Sequence, residues 1–112
     1  MSEITTHVLD TSLGRPAAGV PVTLEAREGA GGWKQVGRGT TDADGRLRNL
    51  VPGPLAAGTY RLTFDTRAYF EVRQIAAFYP EVAVVFDVRD AAAKYHVPLL
   101  ISPYGYSTYR GS

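Results

Sequence analysis

The chain has 112 residues, with 12 basic against 11 acidic side chains and a formal net charge of +1. That length suits one domain around one modest core, and charges this balanced, scattered without a basic run, give no electrostatic ground for nucleic acid or an anionic membrane as partner. With no cysteine in the chain, disulfides, thiolate metal sites and a thiol nucleophile are excluded.

The elements in chain order are short strands separated by turn residues. Ile4–Asp10 alternates in the β sense, with Ile4, Thr6 and Val8 on one face and Thr5, His7 and Leu9 on the other. Thr11–Gly19, holding Gly14, Pro16 and Gly19, reads as a loop. Val20–Glu25 alternates again, Gly29, Gly31 and Gly32 make a hairpin tip, and Trp33–Thr41 is the returning strand. Thr41–Gly45 (TDADG) is a tight turn in which Gly45 supplies a positive φ, followed by a short strand or edge at Arg46–Leu50 and a Pro/Gly loop at Val51–Gly58. Thr59–Asp65 is a strand, and Thr66–Ile75 is the one predicted helix, capped by Thr66 and stopped before Pro80. Val82–Val88 is an apolar strand. Tyr95–Ser102 and Tyr104–Arg110 are two more, joined around Ser102-Pro103. About eight strands with one short helix, without internal repeat or linker, predict an all-β sandwich of two sheets forming a single domain over residues 1–112.

No stretch approaches the ~18 apolar residues of a membrane span. MSEITTHVLD lacks the basic and apolar regions of a secretory signal, so a cytoplasmic location is expected. Chemical candidates are few. The two histidines, His7 and His96, lie in predicted strands. If Val8, Val97, Leu99 and Ile101 face the core, both histidines stand on an outer face with Leu9, Pro98 and Leu100. An outer face this apolar is one that another subunit or a ligand covers. The pair therefore reads either as ordinary strand residues or as two walls of a cleft. Two histidines without a third, and with Asp10 on the opposite face of its strand, fall short of a metal ligand set. Ser107 and Ser112 lack a G-x-S-x-G elbow. Two imidazoles near a guanidinium, for which Arg46 after the turn is the candidate, suit water activation and stabilisation of charge on an attacked carbonyl.

Several segments together resemble the 5-hydroxyisourate hydrolases, the transthyretin-related enzymes of urate breakdown. They are THVLDTSLGRPA (Thr6–Ala17), TDADGR (Thr41–Arg46), GTYRLTFDTRAYF (Gly58–Phe70), FYPEVAVVF (Phe78–Phe86) and YHVPLLISPYGYSTYRGS (Tyr95–Ser112). The likeness runs over essentially the whole chain. The terminal YRGS is its most specific part: the transthyretins, hormone carriers of the same fold, share SPY-x-YST but lack it. They also carry other residues at the places of His7, Arg46 and His96. The resemblance implies a transthyretin-like sandwich that assembles as a homotetramer, a dimer of dimers, with pockets at the dimer–dimer interface. The implied reaction is cofactor-independent opening of the six-membered ring of 5-hydroxyisourate to the ureidoimidazoline carboxylate. His7 and His96 would move protons and Arg46 would orient substrate. Tyr109 and Ser112 would shape the site, while Arg110 and Gly111 fix the terminus. Sharing a strand face with Ser107 and Gly111, Tyr109 is expected to project into the histidine pocket. The rival reading is a transthyretin-like carrier holding an aromatic ligand in the tetramer channel.

Overall fold

The computed structural model describes residues 3–112. Among them are nine strands and one helix: β1 (Glu3–Asp10), β2 (Arg15–Pro16), β3 (Pro21–Glu28), β4 (Gly32–Thr40), β5 (Arg46–Leu47), β6 (Gly58–Phe64), α1 (Thr66–Val72), β7 (Val82–Val88), β8 (Lys94–Ser102) and β9 (Gly105–Thr108). One sheet runs β2-β1-β8-β9, with β5 also pairing to β1; the other runs β4-β3-β6-β7. All pairings are antiparallel except β1 with β8, which run parallel with Thr5 opposite His96 and His7 opposite Pro98.

The core forms as the alternation dictates. Ile4 and Val8 from β1 and Val97, Leu99 and Ile101 from β8 meet Val22, Leu24, Leu62, Phe64 and Val82 from the other sheet, all buried. Removing this much apolar surface from water is what drives the two sheets together. Asp10 is also fully buried, which its charge allows only because it is saturated with donors. Tyr69 Oη donates to it at 2.7 Å, and Ser12 gives both its N–H (3.0 Å) and its hydroxyl (2.5 Å). Burial acts on this carboxyl most strongly and raises its pKa, but these donors outweigh it, and the net shift is downward. Burial, together with the bond to Asp10, pushes the Tyr69 phenol up to about 12. On the outer face of the second sheet, Arg27 and Arg61 lie over the Trp33 ring at 4.9 and 4.4 Å.

The early loop and the helix differ from the sequence reading in three details, and β5 is shorter than expected, ending at Leu47 rather than Leu50. Arg15–Pro16 adds a two-residue strand inside the predicted loop, because Leu9 and Asp10 pair with it. The helix is capped by Asp65, whose carboxylate accepts from Ala68 N–H at 3.0 Å; Thr66 is instead its first residue. It stops at Val72 rather than Ile75. Gln74 turns to φ 57°, and Ile75 N–H reaches back to the Phe70 carbonyl (3.0 Å) while Gln74 N–H reaches Glu71 (2.9 Å), a Schellman closure.

The β4–β5 turn sets the floor of the site. Asp42 Oδ1 accepts from the N–H groups of Asp44 (2.8 Å) and Arg46 (3.0 Å). The Arg46 N–H bond is the main reason its pKa lies below the ordinary 3.8. This support is complete above the ordinary value and is lost as pH falls through the lowered one. Gly45 has φ +75°, and a Cβ there would lie 2.3 Å from the Val8 carbonyl oxygen. Gly45→Ala is therefore expected to cost about 1–3 kcal/mol of stability. Thermal unfolding checks this, and an unchanged Tm would show that the turn is free to move off β1.

Candidate active site

On the outer face of the first sheet, neighbouring strands bring distant residues into register. His7 sits mid-strand on β1 and is directly opposite Arg46 on β5. The ladder bond from Val8 N–H to the Gly45 carbonyl (2.7 Å) flanks this pair, making it the close-approach kind of antiparallel pair, with Cα atoms about 4.5 Å apart. On the other side, β8 places His96 opposite Thr5, two residues from His7 and on the same face. His7, Arg46, His96, Gly111 and Ser112 all line one hollow of about 520 Å3, together with Thr5, Arg48, Lys94 and Glu3.

Each imidazole is held by one nitrogen. His7 Nε2 lies 2.9 Å from the Asp44 carbonyl oxygen, which only accepts, so Nε2 carries a proton and neutral His7 has its lone pair on Nδ1. His96 Nδ1 lies 2.8 Å from the Thr5 hydroxyl. Burial first, then the nearby His7, Arg46 and Arg48, lower the His96 pKa from its ordinary 6.5, so this ring is neutral at neutral pH. Arg46, Arg48 and Lys94 outnumber Glu3 as charges around the hollow, which gives it a positive field suited to an electron-rich ligand or a developing oxyanion.

The terminal segment is docked, but not uniformly. β9 ends at Thr108 because its next partner on β8 is Pro98, which has no N–H to give the ladder; the Thr108 hydroxyl takes the Pro98 carbonyl instead, at 2.7 Å. Pairing resumes in the same register at Gly111, whose N–H donates to the His96 carbonyl at 2.8 Å. Across this interruption Tyr109 and Arg110 both lie away from the histidine hollow. They line a second, mostly apolar hollow of about 240 Å3 with Val84, Phe86, Tyr95 and Val97, and the Arg110 guanidinium lies 4.7 Å over the Tyr95 ring. Within the protomer, the expectation that Tyr109 shares the histidine hollow is thus corrected.

Sequence reasoning misses Thr5, Arg48 and Lys94. Thr5 carries a usable signal, its place two residues before His7 on the same face; Arg48 and Lys94 carry none beyond charge. Among the described residues no group of three or more His, Asp or Glu is placed to hold a metal ion, and no helix is long and apolar enough to cross a membrane.

Two packed sheets with paired imidazoles and a guanidinium around an outer-face hollow define a β-sandwich protein with a small-molecule site. The family model described as HIUase/Transthyretin matches residues 4–111, and the chain belongs to that family. It is 48% identical over 110 residues to a 5-hydroxyisourate hydrolase of Salmonella typhimurium, covering 97% of this chain and 80% of the relative. The structure of Klebsiella pneumoniae 5-hydroxyisourate hydrolase superposes with a TM-score of 0.88 at 39% identity, covering 100% of both chains. Sea bream transthyretin in complex with thyroxine also superposes with a TM-score of 0.88, at 35% identity over 96% of this chain and 93% of that one. The transthyretin-like fold is thus common to both branches, and backbone shape does not separate them.

Proposed function

We propose that this chain is a 5-hydroxyisourate hydrolase of urate degradation, acting without a cofactor by histidine-assisted attack of water on a ring carbonyl. The observation that carries this reading is the convergence of His7, Arg46 and His96 on one hollow. Relatives named as 5-hydroxyisourate hydrolases and 48% identical to this chain support it. In this mechanism an imidazole lone pair takes a proton from water as the oxygen bonds to the carbonyl carbon. Arg46, whose backbone pairs opposite His7, offsets charge on the carbonyl oxygen with its guanidinium and orients the planar substrate. Collapse of the tetrahedral species breaks the carbon–nitrogen bond, and the imidazolium returns its proton to the leaving nitrogen. Gly111 and Ser112 close one wall. The reading includes a single domain assembled as a homotetramer, in which a second protomer covers the open side of the hollow and its partly apolar rim.

Freshly generated 5-hydroxyisourate decays unaided, so the test is its ultraviolet decay with and without the protein, repeated in excess EDTA. Acceleration that survives the chelator is expected, because among the described residues no three His, Asp or Glu are placed to hold a metal. No acceleration would leave the carrier reading, with an aromatic ligand in the assembled channel, in its place. Loss in EDTA with recovery on adding zinc would show a metal-dependent hydrolase instead.

A further inference from the structure

The two histidines are held by opposite kinds of group, and this makes them chemically unequal. His7 donates Nε2–H to a carbonyl, which leaves a lone pair on Nδ1. His96 is held at Nδ1 by a hydroxyl that can give or take a proton, so its tautomer depends on what else that hydroxyl touches. Thr5 has one O–H to place, and among the described residues its side chain has no hydrogen-bond partner except His96 Nδ1. Donation to Nδ1 satisfies that O–H. The reverse arrangement leaves it without a protein acceptor.

We propose that Thr5 is a positioning residue that fixes His96 as the Nε2–H tautomer, so that His96 presents a donor to the hollow while His7 presents the base. This rests on the hydrolase reading and deepens it by dividing the labour between the two rings. Water loses its proton to His7 Nδ1 as its oxygen bonds to the ring carbonyl carbon, and the carbonyl π pair moves onto oxygen. His96 Nε2–H and Arg46 donate to that oxyanion. The pair then returns, the carbon–nitrogen bond breaks, and the proton on His7 passes to the nitrogen. The new carboxyl group ionises to water, closing the proton balance. A neutral His96, which its burial and its cationic neighbours favour, is the state that can accept the Thr5 proton.

A second neighbour crowds the ring. Gly111 leaves no room for a side chain beside it: a Cβ there would come within 2.5 Å of His96 Cδ2 and 3.3 Å of Pro98 Cγ. Thr5 therefore acts on an imidazole already packed closely on another side.

With only two histidines in the chain, nitrogen-15 spectra of the imidazoles resolve the issue, with His7→Gln used for assignment. At a pH where both rings are neutral, His96 is expected to show a protonated Nε2 and an unprotonated Nδ1. In Thr5→Val the ring should become a tautomer mixture, and kcat should fall about tenfold, the worth of one hydrogen bond, with little change in KM. Thr5→Ser should restore both the spectrum and most of kcat. A wild-type His96 protonated at Nδ1, or a Thr5→Val enzyme with unchanged kcat, would overturn the proposal. The spectra do not depend on turnover. The expected tautomer in a protein that fails to accelerate substrate decay would sink the hydrolase reading while leaving the Thr5–His96 coupling in place. An Nδ1-protonated His96 in an active enzyme would do the opposite.

Discussion

Replacing His96 or His7 with alanine is expected to cut enzyme-catalysed decay of 5-hydroxyisourate by about 10²–10⁴-fold, the usual worth of a positioned acid or base. The loss should fall mainly on kcat, because Arg46 remains to orient the substrate. Stability should hardly change. Both rings are half-buried on an outer face, and each bonds to one partner in the part-exposed hollow, so truncation leaves no deeply buried polar group stranded. Stopped-flow absorbance gives the rate, while thermal unfolding and sedimentation confirm that fold and assembly persist. Unchanged kinetics in both variants would end the catalytic assignment and favour a carrier, which has no use for either imidazole.

Substituting Gly111 by valine should be nearly as damaging, although glycine has no chemistry of its own. Its N–H holds the His96 carbonyl, and its missing side chain is what lets the imidazole stand where it does. Any Cβ lies 2.5 Å from Cδ2 of the ring, so either the ring swings away from Thr5 or the terminal segment lifts off β8. Misplacing a reacting group by about 1 Å costs up to ~10²-fold. The variant should therefore lose kcat by one to two orders of magnitude, roughly, while remaining folded. Gly111→Ala should fall between it and wild type. Removing Tyr109–Ser112 altogether should match or exceed the valine variant. Full activity after that deletion would mean that the terminal segment makes no contribution to the site.

The strand faces were legible because period-two alternation is enforced by burial: Ile4, Thr6 and Val8 could not be moved outward without exposing the core, and His7 followed. His96 was placed by the same argument from Val97, Leu99 and Ile101. What escaped were features that depend on one atom meeting another far along the chain. A strand threonine is too common to signal anything by type alone, and the partner that gives Thr5 its meaning lies 91 residues away. Unbroken alternation would place Tyr109 on the histidine face, but Pro98 on the neighbouring strand withholds a hydrogen bond and the alternation fails there. By residue type alone Thr66 is a good helix cap. Asp65 won because its carboxylate reaches the Ala68 N–H.

The parallel union of β1 with β8 governs when, during folding, the site comes into being. Closing so long a loop costs chain entropy before any contact offsets it, and such pairings are intrinsically slow. The β3–β4 hairpin around Trp33 is built from near neighbours and needs no such closure. Catalytic competence is therefore a stricter gauge of nativeness than any local optical signal, since only a polypeptide that has joined its remote segments possesses a working centre.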